Sequence, residues 1–150
     1  MAFATGTFTD ASVANAETVI VGGKTYTFET VLTNVDGNVA LGADNTAALA
    51  NLAAAIDVSG VAGTQYAAAM TANTQVLPVS SDATTLVVRA KIAGTLGNQI
   101  ASTDTAGGGW GAATLAGGTG DVIGDLLAIA EQAPAGIKQA IIDLTLGVDG

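Results

Sequence analysis

The run Glu17-Thr-Val-Ile-Val21, followed by Gly22-Gly23 and then by Lys24-Thr-Tyr-Thr-Phe-Glu-Thr30, decides the fold class. Both flanks are rich in β-branched and aromatic residues, and the glycine pair supplies the positive φ that a two-residue primed turn demands. The combination predicts a β-hairpin. Side chains alternate across a strand, so Tyr26 and Phe28 share one face while Thr25, Thr27 and Glu29 share the other. Such alternation marks an antiparallel sheet buried on one side. Residues 31–35 and 38–41 extend the pattern as a third and a fourth strand about an Asp36-Gly37 turn.

Downstream, Gly42-Ala-Asp44-Asn45-Thr-Ala-Ala-Leu-Ala-Asn-Leu-Ala-Ala-Ala-Ile56 reads as a helix. Asp44 or Asn45 can cap it by accepting from the unpaired amides of the first turn. Leu49, Leu52 and Ile56 recur on one face, and the alanines let that face lie close to the sheet. A short helix over residues 65–70 would bring Tyr66 and Met70 together. Residues 76–79 and 85–92 read as a second hairpin about Ser80-Ser81-Asp82. Its second strand should turn Leu86, Val88, Ala90 and Ile92 inward and Val87, Arg89 and Lys91 outward. Gly94-Thr-Leu-Gly-Asn98 is a turn, residues 100–103 a last strand, and residues 106–120 a glycine-rich segment with the single tryptophan, Trp110.

The two ends differ from this middle. Residues 1–16 are expected as an N-terminal arm whose only large anchors are Phe3 and Phe8. Residues 121–150 are expected as a C-terminal helical tail. Asp121 would cap a first helix bearing Val122, Ile123, Leu126, Leu127 and Ile129, and Pro134 would end it. A second helix over 135–146 would align Ile137, Ile141 and Leu144. The predicted architecture is α+β: an antiparallel sheet of two hairpins plus edge strands with one helix packed on it, occupying residues 17–120, and a C-terminal helical segment.

Composition narrows the chemistry. Thirteen acids stand against Lys24, Arg89, Lys91 and Lys138, a formal charge of −9. Binding nucleic acid directly takes clustered Lys or Arg to neutralise phosphate, and no cluster exists here. With no cysteine and no histidine, disulfides, thiolate nucleophiles and Cys or His metal ligands are excluded, and the commonest general base is missing. Apolar stretches fall short of a membrane span, and the N-terminus lacks a signal-peptide layout, so no membrane partner is expected. Much of the apolar fraction is alanine, which buries little area per residue. A thin core of this kind is expected to leave apolar surface for neighbouring subunits to complete.

Several motifs invite a catalytic or ligand-binding reading and fail it. Gly23-Lys24-Thr25 ends like a phosphate-binding loop, but Thr18 stands where the leading glycine belongs, and the tripeptide sits in a hairpin. Gly118-Thr-Gly120-Asp-Val-Ile-Gly124 resembles a dinucleotide loop with one residue too many, outside any alternation of strands and helices. Asn34-Val-Asp36-Gly37-Asn38 is oxygen-rich, yet Asn45 occupies the position where a calcium loop needs glutamate. The carboxylates are scattered singly through turns and caps, unlike the facing pair of a glycosidase. Neither catalytic residues nor a cofactor is therefore expected. Trp110, flanked by glycines, reads either as a plug of the domain's own core or as a hot spot for a partner pocket.

The ordered set Val19-Ile-Val-Gly-Gly-Lys-Thr-Tyr-Thr-Phe28, Gly37 to Leu41, Gly42-Ala43, Thr46-Ala-Ala-Leu-Ala-Asn-Leu-Ala-Ala-Ala-Ile56, Leu86-Val-Val-Arg-Ala-Lys-Ile92, Ala93-Gly-Thr-Leu-Gly-Asn98 and Leu115-Ala-Gly-Gly-Thr119 resembles a module of tailed-bacteriophage virion structural proteins. That module recurs in tail-sheath-like and other virion surface proteins. The resemblance spans about residues 17–120 and brings no catalytic residue with it. It implies a non-enzymatic virion protein made in the host cytoplasm. The chain is far shorter than a tail-sheath subunit and is similar in scale to capsid decoration or cement proteins. The expected partners are accordingly the major capsid protein on the outer shell and further copies of the chain, as a homo-oligomer with a trimer favoured. Phe3, Phe8, Trp110, Ile137, Ile141 and Leu144 are the candidate partner-interface residues. The alternatives are a tail or neck ring component and a virion-surface carbohydrate-binding module, the latter resting on Trp110 and Tyr66.

Overall fold

The Gly22-Gly23 hairpin forms as the sequence predicts. In the computed structural model, which describes residues 1–120, strands β2 (Thr18–Val21) and β3 (Lys24–Glu29) pair antiparallel with Val21 opposite Lys24 and Val19 opposite Tyr26. Gly22 and Gly23 adopt φ of 57° and 74°, as a primed turn requires. Val19, Val21, Tyr26 and Phe28 are all fully buried on the shared face. The C-terminal helical segment expected over 121–150 lies outside the described residues.

The next connection departs from expectation. Residues 31–35 form no strand, and Val31 and Val35 stay exposed. The chain loops back so that β4 (Asn38–Ala40) runs parallel to β3, with Phe28 opposite Val39. Side chains hold this loop in place of a ladder: Asn34 Oδ1 accepts from the Ala69 amide at 2.7 Å, and Asp36 Oδ1 from the Thr71 amide at 2.9 Å. Gly37 is required where the loop closes. Its φ is 96°, its carbonyl accepts from Thr27 N at 2.9 Å, and a Cβ there would stand 2.5 Å from the Thr25 carbonyl oxygen.

Helix α1 (Asn45–Asp57) is capped by Asp44, whose carboxylate accepts from Ala47 N at 2.8 Å. Asn45, the other cap candidate, ties loops together instead. Its Oδ1 accepts from Val13 N, and its Nδ2 donates to the carbonyls of Asp10 and Ala83. Ala48, Leu49, Leu52, Ala55 and Ile56 form the fully buried face. Residues 65–70 form no helix, because their backbone groups pair elsewhere. Gln65 O accepts from Ala40 N, and Ala67 N donates to Asn38 O, which covers the free edge of β4. Tyr66 and Met70 are nonetheless both buried, as expected.

The second hairpin joins β5 (Val76–Ser81) and β6 (Thr85–Ala90), with an irregularity between Pro78 and Ser80. Leu86, Val88 and Ala90 point inward as predicted, but β6 ends at Ala90 and Ile92 is 63% exposed. The chain there turns through Gly94 into a short 3₁₀ helix (Thr95–Gln99), then β7 (Ser102–Asp104) and β8 (Gly109–Trp110).

Residues 1–16 are not an arm. Residues 5–9 form β1 (Thr5–Thr9), which lies between β6 and β8, with Phe8 opposite Leu86 on one side and Trp110 on the other. Threonines alternate with Gly6 and Phe8 along β1, so Phe8 enters the core, fully buried, while Thr5, Thr7 and Thr9 face solvent. Among the described residues the strands make two four-stranded sheets rather than one, in the orders β5-β6-β1-β8 and β4-β3-β2-β7. β7 meets β8, and α1 packs on β5, β4 and β6, so strands of both sheets and the helix enclose one apolar core. The α+β class is as the sequence predicts.

Candidate interaction surface

Several of the described carboxylates fasten loops. Asp10 accepts from Ser12 N at 2.7 Å and from Gly108 N at 3.1 Å; Glu17 accepts from Ala14 N at 2.7 Å and from Gly107 N at 3.2 Å. Asp104 accepts from Trp110 N at 3.2 Å. Three acids from three segments thus pin the glycine-rich run leading into β8. Asp82 accepts from the amides of Thr84 and Thr85, each at 2.8 Å, and from the Thr85 hydroxyl at 2.7 Å. Led by the Thr84 amide, these donors favour the carboxylate and hold its pKa below the usual value.

Lys24, Asp36 and Thr71 form a polar cluster. Lys24 Nζ reaches Asp36 Oδ1 at 2.6 Å and Thr71 Oγ1 at 2.9 Å, and also donates to the Thr71 carbonyl. Desolvation pushes the Asp36 pKa up, but the Lys24 ammonium and the Thr71 amide and hydroxyl outweigh it and leave the group below its ordinary range. The Lys24 that resembled a phosphate-loop lysine is therefore engaged by a carboxylate. The oxygen-rich stretch at residues 34–38 is engaged as well: Asp36 holds Lys24, and Asn34 holds the Ala69 amide. Deeper in, Asn73 Nδ2 lies 3.3 Å from the Tyr26 hydroxyl, and burial, offset in part by that contact, pushes the phenol up to about 12.

The expected interface residues separate into three groups. Phe8 is fully buried and is corrected from partner contact to core. Trp110 is half-buried; its ring stacks at 54° on Phe8 with centroids 5.6 Å apart, and Nε1 donates to Thr103 O at 3.1 Å. It packs against the chain's own core and keeps part of its surface open to solvent. Phe3 is 41% exposed and carries the Arg89 guanidinium 4.3 Å above its ring. Ile137, Ile141 and Leu144 lie outside the described residues. Tyr66, invoked with Trp110 for carbohydrate binding, is buried, with its hydroxyl donating to Gly60 O at 2.9 Å. The two rings do not make an exposed platform.

Ile92, expected to face inward, and Leu96, which the sequence did not single out, are 63% and 61% exposed. They border a groove of about 200 Å³ whose other walls are Thr74, Gln75, Ala90, Lys91, Gly97 and Ile100. Lys91 is the one charged residue among them, and its Nζ donates to Asn73 O at 2.6 Å. The signal available was that the β6 alternation carries one apolar residue beyond the last pairing position. No described helix is long and apolar enough to cross a membrane.

No family model matches the chain, and neither the curated proteins nor the solved structures include a match.

Proposed function

We propose that the chain is a non-enzymatic structural subunit of a tailed-phage particle, and that it acts as a capsid decoration protein bridging major capsid subunits on the outer shell. The observation that carries this reading is the use of the acids. Asp10, Glu17, Asp36, Asp44, Asp82 and Asp104 each close a turn, cap a helix or hold a loop. A catalytic carboxylate must be free to meet substrate, whereas these side chains are spent on backbone amides, hydroxyls and the Lys24 ammonium of their own fold. Supporting it is the apolar surface left outside: Val31, Val35, Val61, Val79, Ile92 and Leu96 are each more than half exposed. Such side chains suit contacts with neighbouring subunits, where burying apolar area contributes roughly 25 cal/mol per Å². The ordered motifs over residues 17–120 add the phage resemblance.

Bridging would stabilise a shell by adding contact area between neighbours, with the acidic surface facing solvent. The test is co-sedimentation of the purified full chain with shells assembled without it. Saturable binding at a fixed ratio to capsid protomers, with a raised shell melting temperature, supports decoration. No binding to shells, but incorporation into tails, would move the subunit to the tail or neck.

A further inference from the structure

We propose that the groove bordered by Ile92 and Leu96 seats the segment that follows Gly120 in the same chain, residues 121–131. This inference does not rest on the virion reading. Its first support is position. Gly120 O accepts from Thr95 N at 3.1 Å, and Thr95 adjoins Leu96 at the groove wall. A Cβ on Gly94 would stand 3.0 Å from the same Gly120 oxygen, so the chain leaves the described fold beside the groove rather than across the molecule from it. Even coiled at about 1.5 Å per residue, eleven residues reach roughly 16 Å, enough to pass over a groove of this size.

The second support is chemical. The groove offers aliphatic walls at Ala90, Ile92, Leu96 and Ile100, a cation at Lys91, and no acid. Arg89 lies two residues before Lys91, over the exposed Phe3 ring. These are two of the four cations in a chain of net charge −9. The segment is complementary in both respects: Val122, Ile123, Leu126, Leu127 and Ile129 are apolar, and Asp121, Asp125 and Glu131 are acidic. Apolar contact would supply affinity, and charge would set which way the segment lies. Being attached, it also acts at a high effective concentration.

The chain has no cysteine, so introduced pairs report without interference. Leu96→Cys is combined in the full-length chain with Ile123→Cys or with Leu126→Cys. Ala83→Cys with Leu126→Cys is the control, since residue 83 lies at the far tip of the β5–β6 hairpin, about 20 Å from Ala90 along the strand. Ile92→Cys replaces Leu96→Cys if that variant folds poorly. Under mild oxidation of dilute protein, intact mass after alkylation should show an intramolecular disulfide forming at least about tenfold faster in a Leu96 pair than in the control. Equal rates would overturn the proposal. Disulfides forming only between chains would overturn it too, by assigning the groove to the segment of a second copy.

Discussion

Replacing Phe8 by alanine tests the placement of residues 5–9 as a core strand. The ring is fully buried, opposite Leu86 on one neighbour and Trp110 on the other, and stacks on the Trp110 ring at 5.6 Å. A Phe→Ala truncation at a site of this kind costs about 3–5 kcal/mol, including the cavity left behind. Part of that is the aromatic pair, worth about 0.5–1.5 kcal/mol beyond its area. Against a total stability of about 5–15 kcal/mol, the loss is a large fraction. With a urea slope of about 2 kcal/mol per M, the midpoint should fall by about 2 M. Phe3→Ala is the internal comparison. That ring is 41% exposed, and its contact with Arg89 is worth about 0.5–1 kcal/mol, so its midpoint should move by under about 0.5 M. Far-UV circular dichroism through the urea transition reads both variants, and Trp110 fluorescence gives a second probe for two-state behaviour. Equal small shifts for Phe3→Ala and Phe8→Ala would refute the strand and restore an arm.

Other consequences can be measured on the same preparation. Asp44→Ala removes the carboxylate that caps α1 and should cost about 1 kcal/mol by urea unfolding, while Asp44→Asn retains most of it. Gly37→Ala forces a Cβ to 2.5 Å from the Thr25 carbonyl at φ 96° and should cost more than about 2 kcal/mol, whereas Gly23→Ala, with open space around it, should cost about 1 kcal/mol. The folded-state pKa of Asp36 is depressed, so its contribution is complete above the unfolded value of 3.8 and is lost as pH falls through the folded value. Melting temperature followed from about pH 5 to about pH 2 should therefore fall less steeply in Asp36→Asn than in the parent chain.

The local signals that proved legible were those carrying their own physical cause. Gly-Gly between β-branched runs dictates a primed turn, and the leucine and isoleucine spacing of residues 49–56 behind Asp44 dictates a capped helix. What escaped was long-range. Thr5, Thr7 and Thr9 alternate with Gly6 and Phe8, which is a strand pattern, but with one large apolar residue it reads equally well as an anchored arm. Only pairing with β6, some eighty residues away, decides between them. The parallel placement of β4 was equally hidden, since an Asp36-Gly37 turn suggests reversal and the actual return depends on side-chain ties to Ala69 and Thr71. For the surface, the sequence marked Phe3, Phe8 and Trp110, with Ile137, Ile141 and Leu144, as partner candidates, and left a core plug as the other reading of Trp110. The small core instead recruits Phe8 and Trp110, and the exposed apolar walls come from Ile92 and Leu96, where β6 ends earlier than its alternation suggests.

Whether the chain bridges capsid proteins on the outside of a phage shell can be read from cryo-electron microscopy of the intact particle, with density assigned to this chain by side-chain fit. Density for residues 1–120 is expected on the outer capsid surface, contacting at least two major capsid subunits and a further copy of the chain. Finding the chain in the tail or neck would contradict the capsid placement, and finding no copy in the particle would contradict the structural role itself.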